Sequence, residues 1–190
     1  MNLPTIKFAK TESLVLRCCR ADMTSYGGFV WKKKGVVKAP DWKKNRDCGN
    51  GLRGWLSGQG HYDAWSASSD DLWMVVAVKT KDIIDLNGKV KFPAARVLYV
   101  GKREIATGLI VAHCPASKVI YGTVTAGDYG TATAGYGGTV TAGEGGILQI
   151  NAWDSKALRY RIIIGYVGEN GLVAGTKYKL DEHAQFVEVA

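Results

Sequence analysis

Long apolar runs are missing from this chain. No segment approaches the ~18 consecutive apolar residues that a spanning helix requires, which excludes one. The start, MNLPTIKFAKTESLVLRCC, is broken by Lys7, Lys10 and Glu12, so no secretory leader is read there and the expected compartment is the cytosol. Cysteine is sparse, and no Cys-X-X-Cys pair occurs. Cys18, Cys19, Cys48 and Cys114 therefore read as free thiols, and with His61, His113 and His183 scattered they give no zinc spacing. Vicinal Cys18 and Cys19 on a strand point to opposite faces. No Lys-Ser/Thr follows the glycines after Cys48, so the loop is not a phosphate-binding P-loop. No hydrolase signature surrounds Cys48, and Glu169, Glu182 and Glu188 stand alone, without the Glu-X-Glu of an ADP-ribosyltransferase. No metal and no cofactor is expected. Helical signals are few: AWSASSDDLW holds one turn capped by Ser68 or Ser69.

What is present favours strands and turns. The 190 residues include 24 Gly, 9 Tyr and 6 Trp, and 46% are hydrophobic, enough for an ordinary core. The net charge of +8 favours acidic partners without choosing among them.

Along the chain, SLVLRCC reads as a strand and Gly27-Gly28 as a turn. FVWKKKGVV reads as a hairpin, with Phe29, Val30 and Trp31 before its turn and Val36 and Val37 after it. Residues 38–65 form an irregular loop rich in Gly, Trp and charge. LWMVVAV at 72–78 is a buried strand. IIDL and VKF flank Asn87-Gly88, a strong hairpin signal. RVLYV at 96–100 and TGLIVA at 107–112 read as strands. LRYRIIIGYV is a strand with Tyr160, Ile162, Ile164 and Tyr166 on one face, and TKYKL and QFVEV form a closing hairpin.

Between them lies a repeat of period eight: YGTVTAGD, YGTATAGY, GGTVTAGE, then a decayed GGILQI from Tyr121 onward. Thr-X-Thr is β-branched at alternate positions and suits a strand, while the glycines suit tight corners. Val124, Ala132 and Val140 alternate with the threonines and should face a narrow core. An exposed row of Thr123, Thr131 and Thr139 would lie outside. At two octads per coil the repeat makes about two coils, too few to be stable without neighbours. The expected fold is mainly β: an N-terminal β-rich domain over residues 1–114, a short β-solenoid over 115–150 and a β-rich cap over 151–190.

Two resemblances follow. GYGGTVTAG at 135–143 is similar to the octads of bacterial ice-nucleation proteins, and outward Thr-X-Thr rows are similar to those of β-helical antifreeze proteins. Those resemblances cover about thirty residues. On repeat number alone the octads read as a rigid spacer, because ice recognition needs a long flat array. A second resemblance rests on CGNGLRGWLSGQG at 48–60, DIIDLNGKVKFPAARVLYVG at 82–101, the octads, and YVGENGLVAGTKYKLDE at 166–182. In that order they resemble an uncharacterised family of phage and prophage proteins with a Cys-Gly-X-Gly-Leu-His-Gly motif and Gly/Thr/Ala repeats. The resemblance implies a phage context and no reaction. Arg53 stands where that motif has His.

The candidate binding residues are Trp31, Lys32, Lys33, Lys34, Lys38, Trp42, Lys43, Lys44, Arg46 and Arg53. Cations interleaved with aromatics bind phosphate backbones and stack on bases; lysines on a hairpin edge also serve to discourage strand pairing. Around Cys48-Gly49-Asn50-Gly51-Leu52-Arg53, glycine amides can approach an anion and Arg53 can add a fork, or the segment is a tight turn pinned by Trp55 and Leu56. No catalytic residue is assigned, although His61, Tyr62 and Asp63 could serve Cys48 as acid and base. The combined expectation is a non-catalytic, phage-encoded accessory protein that binds and inhibits or modulates a host or defence macromolecule, as anti-CRISPR proteins do. Its partner would be a host or defence protein or ribonucleoprotein, or nucleic acid, with no membrane. Two alternatives stay open: an enzyme acting on a nucleotide or nucleic acid through the Cys48–Asp63 loop, and a virion or assembly component using the repeat as a spacer.

Overall fold

The computed structural model describes residues 2–60 and 70–189. It is mainly β and divides into two compact units, Met1–Pro115 and Ala116–Ala190.

The first unit holds β1 (Glu12–Cys19), β2 (Gly35–Lys38), β3 (Leu52–Leu56), β4 (Leu72–Lys79), β5 (Ile84–Asp85), β6 (Val90–Phe92), β7 (Ala94–Gly101) and the helix α1 (Arg103–His113). They form a seven-stranded sheet in the order β2-β7-β4-β1-β3-β6-β5. The antiparallel pairs β1–β4 and β4–β7 form its centre, and every residue of β4 from Trp73 to Val78 is buried. Alternation sends Val15, Met74, Val76 and Val78 to one face, with Trp31, Val37, Phe92 and Ala95. Leu14, Leu16, Val75 and Ala77 take the other face, where α1 packs with Ala106, Leu109 and Ile110. The Asn87-Gly88 hairpin forms as the sequence implies. Both residues take positive φ, the Leu86 N–H donates to the Lys89 carbonyl, and β5 pairs with β6.

Three sequence expectations fail here. The 38–65 segment is not an irregular loop throughout, since Leu52–Leu56 forms β3 between β1 and β6, long-range pairings that its glycine-rich surroundings do not announce. TGLIVA is not a strand but the core of α1. Its buried positions, Ala106, Thr107, Leu109 and Ile110, follow the helical period, which an apolar run this short cannot declare by itself. The Thr107 hydroxyl is satisfied within the helix by the Arg103 carbonyl at 3.0 Å. FVWKKKGVV is not a hairpin: Val30 bridges back to Thr24, and β2 pairs with β7 instead. Trp31 is drawn into the core, and its N–H donates back to the Met23 carbonyl at 2.9 Å rather than across to Val36 or Val37. The turn expected around Ser68 and Ser69 lies outside the described residues.

The second unit is built on the octads. Its strands are β8 (Thr123–Thr125), β9 (Thr131–Ala134), β10 (Thr139–Thr141), β11 (Ile147–Asp154), β12 (Arg159–Tyr166), β13 (Tyr178–Leu180) and β14 (Phe186–Glu188). Strand β10 pairs parallel with β8, Thr139 beside Thr123, and β11 pairs parallel with β9, Ile147 beside Thr131. The register is therefore two octads, and successive octads fall on alternate ladders. One ladder continues into β13 and β14, the other into β12. Ala132, Ala134, Val140, Ala142, Leu148 and Ile150 are buried between them, which is the inward column the alternation predicts. The threonines point outward, but Thr131 lies on the ladder opposite Thr123 and Thr139, so the three do not make one row.

The change from Tyr to Gly between octads also has a structural cause. Tyr121, Tyr129, Gly137 and Gly145 occupy the same corner position and all take positive φ. A Cβ on Gly137 would lie 2.5 Å from the Tyr121 ring, and one on Gly145 would lie 2.7 Å from the Tyr129 ring. Each tyrosine lies against the corner two octads later, which has room only for glycine.

The turn from β11 to β12 is organised by Asp154. Its carboxylate accepts the Arg161 Nε–H at 2.5 Å and the N–H groups of Ala157 at 2.9 Å and Lys156 at 3.0 Å. The Arg161 hydrogen bond foremost, then these backbone donors, hold its pKa down from 3.8 to about 2. A carboxylate with a depressed folded pKa contributes stability above its unfolded value and loses it as pH falls through the folded one. Asp154→Asn is expected to flatten the fall in the second unit's melting temperature between pH 3.8 and about 2, while leaving the melting temperature's pH dependence near neutrality unchanged. A pH scan of thermal unfolding with both proteins checks this; parallel curves through the acid range would contradict it.

Candidate functional site

The sequence candidates fall in different environments. Lys32, Lys33, Lys34, Lys38, Lys43, Lys44 and Arg46 are all exposed. Lys38 sits on β2, the sheet edge, where unpaired lysine opposes strand addition. Trp31 is only 2% exposed and belongs to the core, with the Arg17 guanidinium 4.0 Å from its ring centroid. Trp42 is half-buried, with the Lys91 ammonium 5.6 Å from its ring. His61, Tyr62 and Asp63 lie outside the described residues, so the acid-base arrangement imagined beside Cys48 has no described geometry.

Sequence reasoning missed Lys91. In VKF it reads as a strand lysine with a solvated head, yet it is fully buried. Its Nζ donates to Asn45 Oδ1 at 2.6 Å and to the Asp47 carbonyl at 3.1 Å. Asn45 Nδ2 in turn donates to the Asp47 carboxylate at 2.6 Å. The buried ammonium thus ties the 42–51 loop to the sheet. No signal within VKF announces this, because pairing on both sides leaves a sheet face free for solvent, and the cover comes from the 42–51 loop.

That loop walls a groove of about 980 Å³. Arg53, on β3, reaches back to donate to Cys48 Sγ at 3.0 Å. Arg17, on β1, donates to the Arg53 carbonyl at 3.1 Å and the Cys18 carbonyl at 2.9 Å. Burial drives the Arg17 pKa down to about 10 and, beside it, the Cys18 thiol up to about 11. Phe29, Trp31 and Trp55 supply aromatic wall. Gly54 is required by packing on the sheet side, since a Cβ there would meet Val15 Cγ1 at 2.5 Å and the Leu16 carbonyl at 2.7 Å. Among the described residues no group of three or more His, Cys, Asp or Glu is gathered as a metal site.

The other organised surface is the β8–β10 face of the second unit. Thr123, Thr125, Thr139 and Thr141 stack in register there, and the Thr139 hydroxyl donates to the Thr123 hydroxyl at 2.9 Å. On the opposite ladder Ile147 and Gln149 lie beside Thr131 and Thr133, so the threonine pattern is lost after one octad.

Residues 13–111 match the family model described as domain of unknown function DUF7666. The chain belongs to the DUF7666 family. The family match lies within the first unit of this DUF7666 protein. The chain is also similar to ice nucleation proteins. It is 35% identical over 102 residues to InaU of Pantoea ananas, covering 53% of this chain and 10% of that protein. It is 40% identical over 103 residues to one from Pseudomonas syringae, covering 53% and 9%. It is 42% identical over 99 residues to one from Pseudomonas fluorescens, covering 51% and 8%. The chain spans about a tenth of the length of the curated relatives it matches. No solved structure matches it.

These findings correct the functional expectation. Alignments of about a hundred residues extend well past the octads, so the ice-nucleation likeness is not confined to a thirty-residue repeat. The relatives are bacterial ice nucleation proteins, and no match carries the phage link. The reading as a phage-encoded, anti-CRISPR-like or other anti-defence binder is overturned, and its enzyme and virion alternatives are not carried forward. The host or defence protein or ribonucleoprotein partner falls with it. So does the exclusion of a membrane: no described helix is long and apolar enough to cross one, which says nothing about β-barrels or surface attachment.

Proposed function

We propose that the second unit of this DUF7666 protein orders water on the β8–β10 face, as a short ice-binding module related to the ice nucleation proteins it resembles. The observation that carries this is the in-register parallel stacking of Thr123-Val124-Thr125 under Thr139-Val140-Thr141. Parallel strands set these side chains ~4.8 Å apart between coils and ~6.6 Å apart along each strand. Every point of that grid offers one methyl and one hydroxyl that both donates and accepts. Buried Val140 fixes the strand from below, and β-branching leaves each threonine few rotamers, so little side-chain freedom remains to be lost on contact with an ordered water layer. Two coils make a small patch, so one chain is expected to bind an existing ice surface rather than to seed freezing strongly.

The test is partition of labelled protein into a slowly advancing ice front. Wild-type protein is expected to be enriched several-fold in the ice over a variant carrying Thr123→Lys and Thr139→Lys. Both positions point outward, so circular dichroism should report an unchanged fold. Equal partition of the two proteins would rule the reading out.

A further inference from the structure

We infer that the groove of the first unit is a binding site for a small organic anion, one that carries a phosphate or carboxylate on an aromatic body. The inference is independent of the water-ordering face, which lies in the other unit. Its starting point is a charge imbalance. Arg17 is more than nine-tenths buried, and its Nε has no hydrogen-bond partner among the described residues. Its two bonded acceptors are neutral backbone carbonyls. The acids acting on it among the described residues are the Cys18 and Cys19 thiols, and burial raises both above the ordinary thiol value, so neither is charged at neutral pH. Among the described residues, the other charged group acting on it is Arg53, a second cation. A buried guanidinium without a counter-charge is destabilising, and a like charge beside it adds to that cost.

An anion in the groove would compensate both. Among the described residues the groove's charged lining is Arg17, Arg53 and Lys89 against Asp41. Arg53 is half-exposed and lines the groove, and among the described residues the one hydrogen bond its side chain makes is from Nη1 to Cys48 Sγ, so its fork keeps further donors for an anion. Gly49 adds a stretch of backbone where even a Cβ would meet nothing within 4 Å, so an anion can approach the main chain. Phe29 and Trp55 line the same space and favour a ligand with a flat apolar body over a bare inorganic ion.

Phenyl phosphate is the minimal probe, with inorganic phosphate and phenol as its two halves. Tryptophan fluorescence, reporting through Trp31 and Trp55, and calorimetry follow the titration of the full chain. Saturable binding of phenyl phosphate at millimolar concentration or below is expected, with both halves weaker. Arg53→Gln should weaken it about tenfold or more, the loss of one charged hydrogen-bonding partner. The same charge change at Lys179, on β13 of the other unit, should leave it unaltered. Arg53→Gln should fold normally, because its backbone carbonyl, not its side chain, receives Arg17. The proposal is overturned if phenyl phosphate does not saturate the wild-type chain, if Arg53→Gln binds as well as wild type, or if Lys179→Gln costs as much.

Discussion

Lys91→Ala is expected to destabilise the first unit by roughly 3–5 kcal/mol, a core-truncation and buried-polar effect combined. The side chain is fully buried, so truncation leaves a cavity where its stem packs against Gly51 and Trp42. It also strands the Asn45 Oδ1 and Asp47 carbonyl acceptors that the ammonium now satisfies. Lys91→Met separates the two contributions, because methionine keeps most of the stem and removes only the charge; roughly 1–3 kcal/mol is expected to remain. Urea unfolding followed by tryptophan fluorescence measures both, since Trp31, Trp42, Trp55 and Trp73 all lie in this unit. The loop should also become the preferred cleavage site under limited proteolysis. A methionine variant as stable as wild type would mean that packing alone holds the loop.

The second large effect is a graded response to alanine along the octads. Gly122, Gly130, Gly138 and Gly146 share one octad position, and each donates its N–H across a tight corner to the carbonyl three residues earlier. They differ in what lies around the missing Cβ. At Gly122 and Gly130 the nearest atoms are 3.0 Å away. At Gly138 they are Ala134 Cβ at 2.7 Å and the Gly122 carbonyl oxygen at 2.8 Å; at Gly146 they are Ala142 Cβ at 2.6 Å and the Gly143 oxygen at 2.9 Å. The Gly122 oxygen cannot retreat, because it accepts the Thr139 N–H at 2.9 Å within the parallel ladder. Gly138→Ala and Gly146→Ala are therefore expected to cost roughly 2–3 kcal/mol through overpacking, and Gly122→Ala and Gly130→Ala less than about 1 kcal/mol. Thermal unfolding of the four variants gives the order. If the first-coil glycines prove the more sensitive pair, the tightness comes from local turn geometry and not from the coil stacked on it.

The contrast between the two units shows how far the sequence could be read. In the second unit the period of eight, the Thr-X-Thr alternation and the Ala/Val column specify strands, corners and the inward face, and all of these appear as read. What the period does not state is which octads share a ladder. Thr131 therefore seemed to continue the row of Thr123 and Thr139 although it lies on the opposite side. In the first unit the strongly apolar β4 and the Asn-Gly hairpin are local signals and are found where expected. TGLIVA and FVWKKKGVV are misread because their states are settled by distant partners: the sheet face that α1 covers, and the core site that takes Trp31.

The candidate site shows the same division. The sequence alone located the Gly-rich loop at 48–53 and the possibility of an Arg53 fork, since both are written in consecutive residues. It could not supply Arg17, thirty-six residues away, whose burial depends on sheet pairing between β1 and β3, or Lys91, whose depth depends on the 42–51 loop that covers it. It also grouped the buried Trp31 with the exposed lysines, because charge density is visible in a sequence and burial is not. Composition and short-range periodicity determined that this protein is β-rich, turn-dense and carries a stacked repeat. Which charges are left without partners, and which threonines share a face, was decided by contacts between residues far apart in the chain, because burial and register are properties of the folded sheet and not of any one segment.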